Sequence, residues 1–531
     1  MTSHIAAPFT NQFLWVHHDA ENMQASPHRH RIYSHVQTNY RAWKRRENFR
    51  ALRASSSQKI SYEWRHRRLR PKTDEVHQQT PSMQTQFTTP GPVAIATSPL
   101  SLVGRGNSDP FHVYSIAIGP GENNLISLYR DYILPVVYHF KIGDKNLNQL
   151  AMRDWRDNVA TLEERGTALG TLARYGSIVA RANPGMWPVA LKYLCQSTRT
   201  LRDKVSRNED LQNTGGCLHM NMLFNAEIIN GNLAGATVHG KMLLHVFRQQ
   251  WEQQRLDYKM LLYQLHNDLQ FASRFLSRPI FDEGEWLPTV LKPLWDVAAP
   301  YMPIYAEEEL DPAIEDKTVS YWFKKSRLTL KYEKIQNTES ERLPLLPLVQ
   351  TSVMSLAFLF HSRMINYYLD SEEQLKREGL TDMVKAYLYA HEALALASAQ
   401  LLRWKNYNPR IMGVPIYDNC RPLNALGYAL DQCEIFSARG GGNKYLNARM
   451  WALYIAALVE RGPPSDQART NQERFNRKLA EMAWSMQVFT WKDLKVILQE
   501  FLYEEPLTSQ GSVWFEEMVL NYQRTKNSSD S

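Results

Sequence analysis

Arg41, Lys44, Arg45 and Arg46, followed about twenty residues later by Arg65, Arg67, Arg68 and Arg70, are the side chains whose type and spacing point to a chemistry. Two clusters of permanent cations form the pattern of a two-part nuclear-import signal. The same clusters contact phosphate backbones by releasing counterions, without reading base sequence. A merely solvated or membrane-surface segment is the third reading of these charges. Tyr33, Val36, Tyr40 and Trp43 recur at helical steps, and Arg41, Lys44 and Arg45 lie beside that stripe. Residues 1–72 carry fourteen Lys and Arg against four acidic residues, so this stretch holds about +10 of a chain whose formal charge is +8. The rest of the chain is close to neutral, and polyanion binding is therefore a property of this segment alone.

Other chemistries find little support. The sequence contains no G-x-x-x-x-G-K-[ST], no G-x-S-x-G and no H-E-x-x-H. Gly440, Gly441 and Gly442 follow a helical pattern where a phosphate loop needs a preceding strand, so they are expected to form a helix-to-helix loop. His17, His18, His28, His30, His35 and His66 cluster near the start, with no Cys or acidic group at ligand spacing beside them. They are expected to be solvated. His361 and His391 fall inside helical patterns and are expected at the core edge, while Glu163–Glu164 and Glu372–Glu373 read as solvated helix faces. No catalytic residue, cofactor or metal is expected.

Cys195, Cys217, Cys420 and Cys433 are too scattered for a zinc module or a disulfide framework, and they fit a reducing compartment. The first ten residues lack a charged stretch followed by an apolar one. Apolar runs such as 450–459 are about half the ~20 residues that span a bilayer. The expectation is a soluble intracellular protein with no membrane partner.

The elements behind these residues divide the chain. Residues 1–97 read as a basic, mostly disordered segment and linker, because 71–99 is rich in Thr, Gln, Ser and Pro and cannot offset its ordering entropy. Residues 98–524 read as an irregular multi-helix domain, and 525–531 as a disordered tail. Helical spacing runs through 123–134, 151–182, 189–205, 211–229, 234–257 and 259–275. A Pro-rich, acidic interlude over 279–317 precedes a second set at 320–336, 347–369, 381–404, 423–436, 446–461, 472–488, 491–502 and 513–522. Residues 111–118 are the best strand candidate. The fold class expected is all-α.

Several segments resemble the fungal-specific transcription-factor regulatory domain. Gly104 to Phe111, reading G-R-G-N-S-D-P-F, matches that family's G-x-x-x-S-D-P-F, and Val136–Tyr138 its following v-x-P-x-l/v-y. Leu233 to Leu243 resembles a recurrent helix written a-x-x-H-l-x-g-l, and Arg449 to Leu453 a helix written l-W-a-L. Phe489 to Leu494, continued by Phe501–Tyr503, resembles the closing s-W-x-d-v element. His30 to Val36 is similar to the opening of members without a zinc cluster. Many relatives carry a Zn2Cys6 module that sets a helix in the major groove, but no Cys precedes Cys195 in this sequence. The resemblance implies a nuclear transcriptional regulator without its own zinc cluster, of the kind associated with metabolic gene clusters. The partners it implies are DNA through the basic segment, other transcription regulators and a second copy of the chain. A helical interaction scaffold, or an enzyme with a small-molecule pocket in the helical core, is the alternative.

Overall fold

A computed structural model describes residues 114–134, 155–282, 284–301, 309–339, 346–407, 410–411, 414–415, 420–440, 442–461, 474–503 and 511–529. Helices account for nearly all of them, and the domain is all-α. Helix α1 (Pro120–Leu128) continues as a π turn to Ile133. The first set is completed by α2 (Arg165–Ala182), α3 (Trp187–Ser206), α4 (Thr214–Asn230), α5 (Leu233–Glu252), α6 (Tyr258–Phe275) and α7 (Trp286–Ala298). The second set opens with α8 (Lys317–Glu339), α9 (Leu346–Leu375), α10 (Asp382–Tyr407) and α11 (Cys420–Gly440). It closes with α12 (Leu446–Arg461), α13 (Arg474–Ser485), α14 (Trp491–Gln499) and α15 (Gly511–Ser529). Among the described residues the β structure is one antiparallel pair, β1 (Arg410–Ile411) with β2 (Val414–Pro415). No helix among them is long and apolar enough to cross a membrane.

Local sequence explains where the helices start and stop. Asn213, Asn232 and Asp257 accept hydrogen bonds from the backbone N–H groups of Gly216, Gly235 and Met260, and so cap α4, α5 and α6. Thr490 and Asp493 cap α14 reciprocally. Helix α4 ends at Gly231, whose φ of 78° lies in the left-handed region that a glycine adopts without Cβ strain.

Two apolar cores form. The first gathers Leu172, Tyr175, Phe224, Phe247, Leu265 and Phe281 from α2 to α7. The second gathers Phe323, Leu394, Leu426, Trp451, Leu479 and Phe515 from α8 to α15. Helix α9 is shared between them. Phe358 and Leu359 belong to the first core, and Phe360, Met364 and Ile365 to the second.

Four expectations need correction. Residues 114–118 form bends and coil, and the Ser115 N–H and Oγ both donate to the Leu162 carbonyl. Bonds to a single carbonyl do not make a ladder. The Pro-rich interlude contains α7, which accepts Pro288 in its first turn and Pro293 in its interior because Leu287, Val290 and Leu291 are fully buried. Helix α15 continues to Ser529, into the stretch read as a tail. Glu164 is the N-cap of α2 and not part of a solvated face.

Candidate functional site

The cations singled out in the sequence, from Arg41 to Arg70, lie outside the described residues, as do the histidines from His17 to His66. The described helices bring together a different set of polar groups. Their densest cluster lies where α2, α3, α4 and α5 meet. Glu164 accepts from the Gly166 N–H at 2.9 Å, the Thr167 N–H at 2.7 Å and the Thr167 hydroxyl at 2.6 Å. Lys204, in the last turn of α3, closes on the same carboxylate at 3.0 Å. Burial works against the charge, but these donors win and hold Glu164 down to about 2.

Behind Glu164, Ser197 and His219 meet with Oγ and Nε2 2.9 Å apart, both side chains fully buried. The network assigns the proton. The Ser197 hydroxyl donates to the Gly166 carbonyl at 2.8 Å, so it accepts from His219 Nε2, which also approaches the Ser197 carbonyl at 3.2 Å. A serine activated for nucleophilic attack would instead give its proton to the imidazole. This pair therefore joins α2, α3 and α4 and does not activate a nucleophile. Gly166 is required there, because a Cβ would lie 2.2 Å from His219 Cε1. Burial keeps both His219 and His239 neutral, each near 4, with Arg202 adding repulsion at His239. His239 is the histidine of the Leu233–Leu243 segment, and it lies inside the fold.

A second constellation holds the two helix sets together. Asp268 of α6 is fully buried and accepts the N–H groups of Ile280 and Phe281, each at 2.9 Å. Asp282 meets Arg363 of α9 at 3.3 Å and accepts from Asn366 at 3.0 Å. Arg278 reaches Asp370 at 2.7 Å and Glu373 at 3.2 Å. Burial outweighs these partners and raises Asp268 to about 7 and Asp282 to about 6. His361 shares a 2.8 Å hydrogen bond with Ser273, and His391 Nε2 accepts the Asp316 N–H at 3.2 Å. Both histidines are deep in the interior and not at the core edge as expected, because each finds a partner on another element.

The third constellation joins segments far apart in the chain. Arg327 of α8 donates through Nε to the Phe501 carbonyl at 2.7 Å, and through its two terminal nitrogens to Glu309 at 2.8 Å and Gln499 at 2.6 Å. Trp451 is fully buried; its Nε1–H donates to the Leu502 carbonyl at 2.9 Å and its ring stacks on Phe501 at 5.5 Å. The Asn447 amide adds contacts to Asp311 at 3.0 Å and Glu500 at 3.4 Å.

Sequence reasoning missed these interior groups, although a signal was present. The run 390–397 reads A-H-E-A-L-A-L-A, which is apolar on every side and marks a helix buried all round, carrying His391 and Glu392 inside with it. Among the described residues no group of three or more His, Cys, Asp and Glu could hold a metal ion. The chain matches no family model, no curated protein and no solved structure.

Proposed function

We infer that the chain is a nuclear regulator of transcription without a zinc-cluster module of its own among these residues, its helical domain serving as the regulatory and partner-binding part. The observation that carries this reading is the way the family-like segments contribute to the fold. The segment around Trp451 and the closing segment 501–503 resemble separate motifs, yet they are one packing unit: the indole donates to one and stacks on its neighbour. His239, the histidine of the third such segment, is likewise an interior group. A regulatory domain whose motif residues hold helices together needs no catalytic constellation. Of the two interior Ser–His pairs among the described residues, Ser197–His219 is oriented against general-base chemistry, and Ser273–His361 ties α6 to α9. In this reading Arg41, Lys44, Arg45, Arg46, Arg65, Arg67, Arg68 and Arg70 bring the protein to the nucleus or to DNA, and the domain meets other regulators or a second copy of itself.

The test is genome-wide chromatin occupancy of the tagged protein. It is run beside a variant with Lys44, Arg45, Arg46, Arg65, Arg67, Arg68 and Arg70 changed to Ala. Discrete promoter peaks that vanish in the variant are the expected result. Even cytoplasmic distribution of both proteins, with no enrichment for the unaltered one, overturns the reading and favours an interaction scaffold.

A further inference from the structure

Helix α8 has two unlike faces. Val319, Phe323 and Leu330 are buried in the second core, while Lys317, Tyr321 and Lys325 are exposed and Lys324, Leu328 and Lys331 half-buried. The outward residues are regularly spaced. Lys317, Lys324 and Lys331 recur every seven residues, and Tyr321 and Leu328 stand seven apart between them. On an α-helix such residues form one stripe, here about 21 Å long. No Asp or Glu occurs within 317–331, so the stripe is positive along its whole length. Its aromatic centre is held in place. The Tyr321 ring is 53% exposed and set edge-on to Trp322 at 5.1 Å, with the Lys325 ammonium over it at 5.6 Å. Trp322 in turn leans on Phe360 of α9 at 6.4 Å. An exposed ring already ordered by its neighbours loses little entropy when it is covered, which is the property of an interface anchor.

We propose that this face of α8 docks an acidic amphipathic helix of another protein. Such a helix sets acids seven residues apart against Lys317, Lys324 and Lys331, and apolar side chains against Tyr321 and Leu328. The repeat of about 10.5 Å between successive lysines is that of a helical heptad. It is not the rise of about 3.4 Å per nucleotide along a duplex strand. A second copy docked through the same face would set lysine against lysine, which disfavours it. The proposal gives the chemistry of one partner and holds whether or not the chain reaches chromatin.

The experiment titrates the full chain into a fluorescein-labelled three-heptad peptide with Glu at one seam position and Leu at the other, and reads anisotropy at low and high salt. The variant with the basic-segment cations changed to Ala is titrated beside it, which separates binding by residues 41–70 from binding by α8. The expected result is saturable one-to-one binding by both, weakened by salt. Lys324→Glu and Tyr321→Ala should each weaken it about tenfold. A peptide with Lys in place of Glu should prefer the triple variant Lys317→Glu, Lys324→Glu, Lys331→Glu over the unaltered chain, a gain of binding that misfolding cannot produce. Absence of saturable binding by the unaltered chain overturns the proposal. So does binding that is lost with the basic segment and indifferent to Lys324→Glu. Displacement of the peptide from the basic-segment variant by a single-stranded oligonucleotide at lower concentration would assign the face to nucleic acid instead. A dimer in sedimentation velocity that Tyr321→Ala dissociates would assign it to a second copy.

Discussion

The helices α2–α5 and the helices α6–α10 bury ionisable groups with different consequences. In α2–α5, Glu164 is surrounded by donors and stays ionised, His219 and His239 are kept neutral, and burial raises Glu227 despite the hydrogen bond from Asn232. In α6–α10, burial outweighs the partners of Asp282, Asp268 and Glu392 and raises all three acids, and it lowers His391. At neutral pH the Glu164 carboxyl is ionised and that of Glu392 is not, so hydrogen-bond supply, not burial alone, decides which way a buried acid is driven.

The largest effects come from breaking the contacts that close the second core. Trp451→Ala removes a fully buried indole and orphans the Leu502 carbonyl, and it is expected to cost about 4 kcal/mol by urea denaturation. Hydrogen exchange should then show α12–α15 losing protection while α2–α5 keep theirs. Equal loss across both sets would show that the two cores do not open separately. Arg327→Met leaves the carbonyls of Glu309, Gln499 and Phe501 without their donor, an expected loss of about 3 kcal/mol. Arg327→Lys is expected to recover little of it, since an ammonium cannot reproduce the fork.

The pH dependence sharpens the comparison directly. A raised acid contributes stability that is complete below its ordinary value and is lost as pH rises through its folded value. For Asp282, Asp268 and Glu392 those folded values are about 6, 7 and 9. From pH 7.5 to 8.5 Glu392 is the main one of these still protonated in the fold, so stability should fall by about 1 kcal/mol per pH unit. Glu392→Gln should flatten that limb in urea titrations at each pH. The lowered histidines act in the opposite sense: their contribution is complete above 6.5 and is lost as pH falls towards 4. Between pH 4.5 and 6.5 these histidines therefore oppose the raised acids. Glu164, held near 2, contributes above its ordinary 4.5 and loses that contribution as pH falls to 2. Glu164→Gln should remove this acid limb and flatten the curve between pH 4.5 and 2.

The smallest expected effect is at a single helix start. Asn213→Ala removes the cap of α4 and should cost about 1 kcal/mol, shifting the urea midpoint without changing the slope.

Periodicity in the sequence located most helices, and α12 coincided with its expected span over Leu446–Arg461. Helix α7 escaped that reading because Pro288 and Pro293 count as breakers locally. The interior acids escaped for a different reason. Nothing in the residues around Asp268 says that the N–H groups of Ile280 and Phe281 will turn back onto it. Glu392 likewise reads as an ordinary helical glutamate until α9 covers it.

The all-helical class, the approximate spans of most helices and the separation of a basic segment from a nearly neutral stretch were legible in the sequence alone. These follow from side-chain spacing and charge count, which need no distant partner. Only the tertiary structure decided which polar groups lie inside, which of them are satisfied and which way each titrates. A pKa is set by the donors, charges and solvent that the folded chain brings within a few ångströms, and those come from residues tens to hundreds of positions apart.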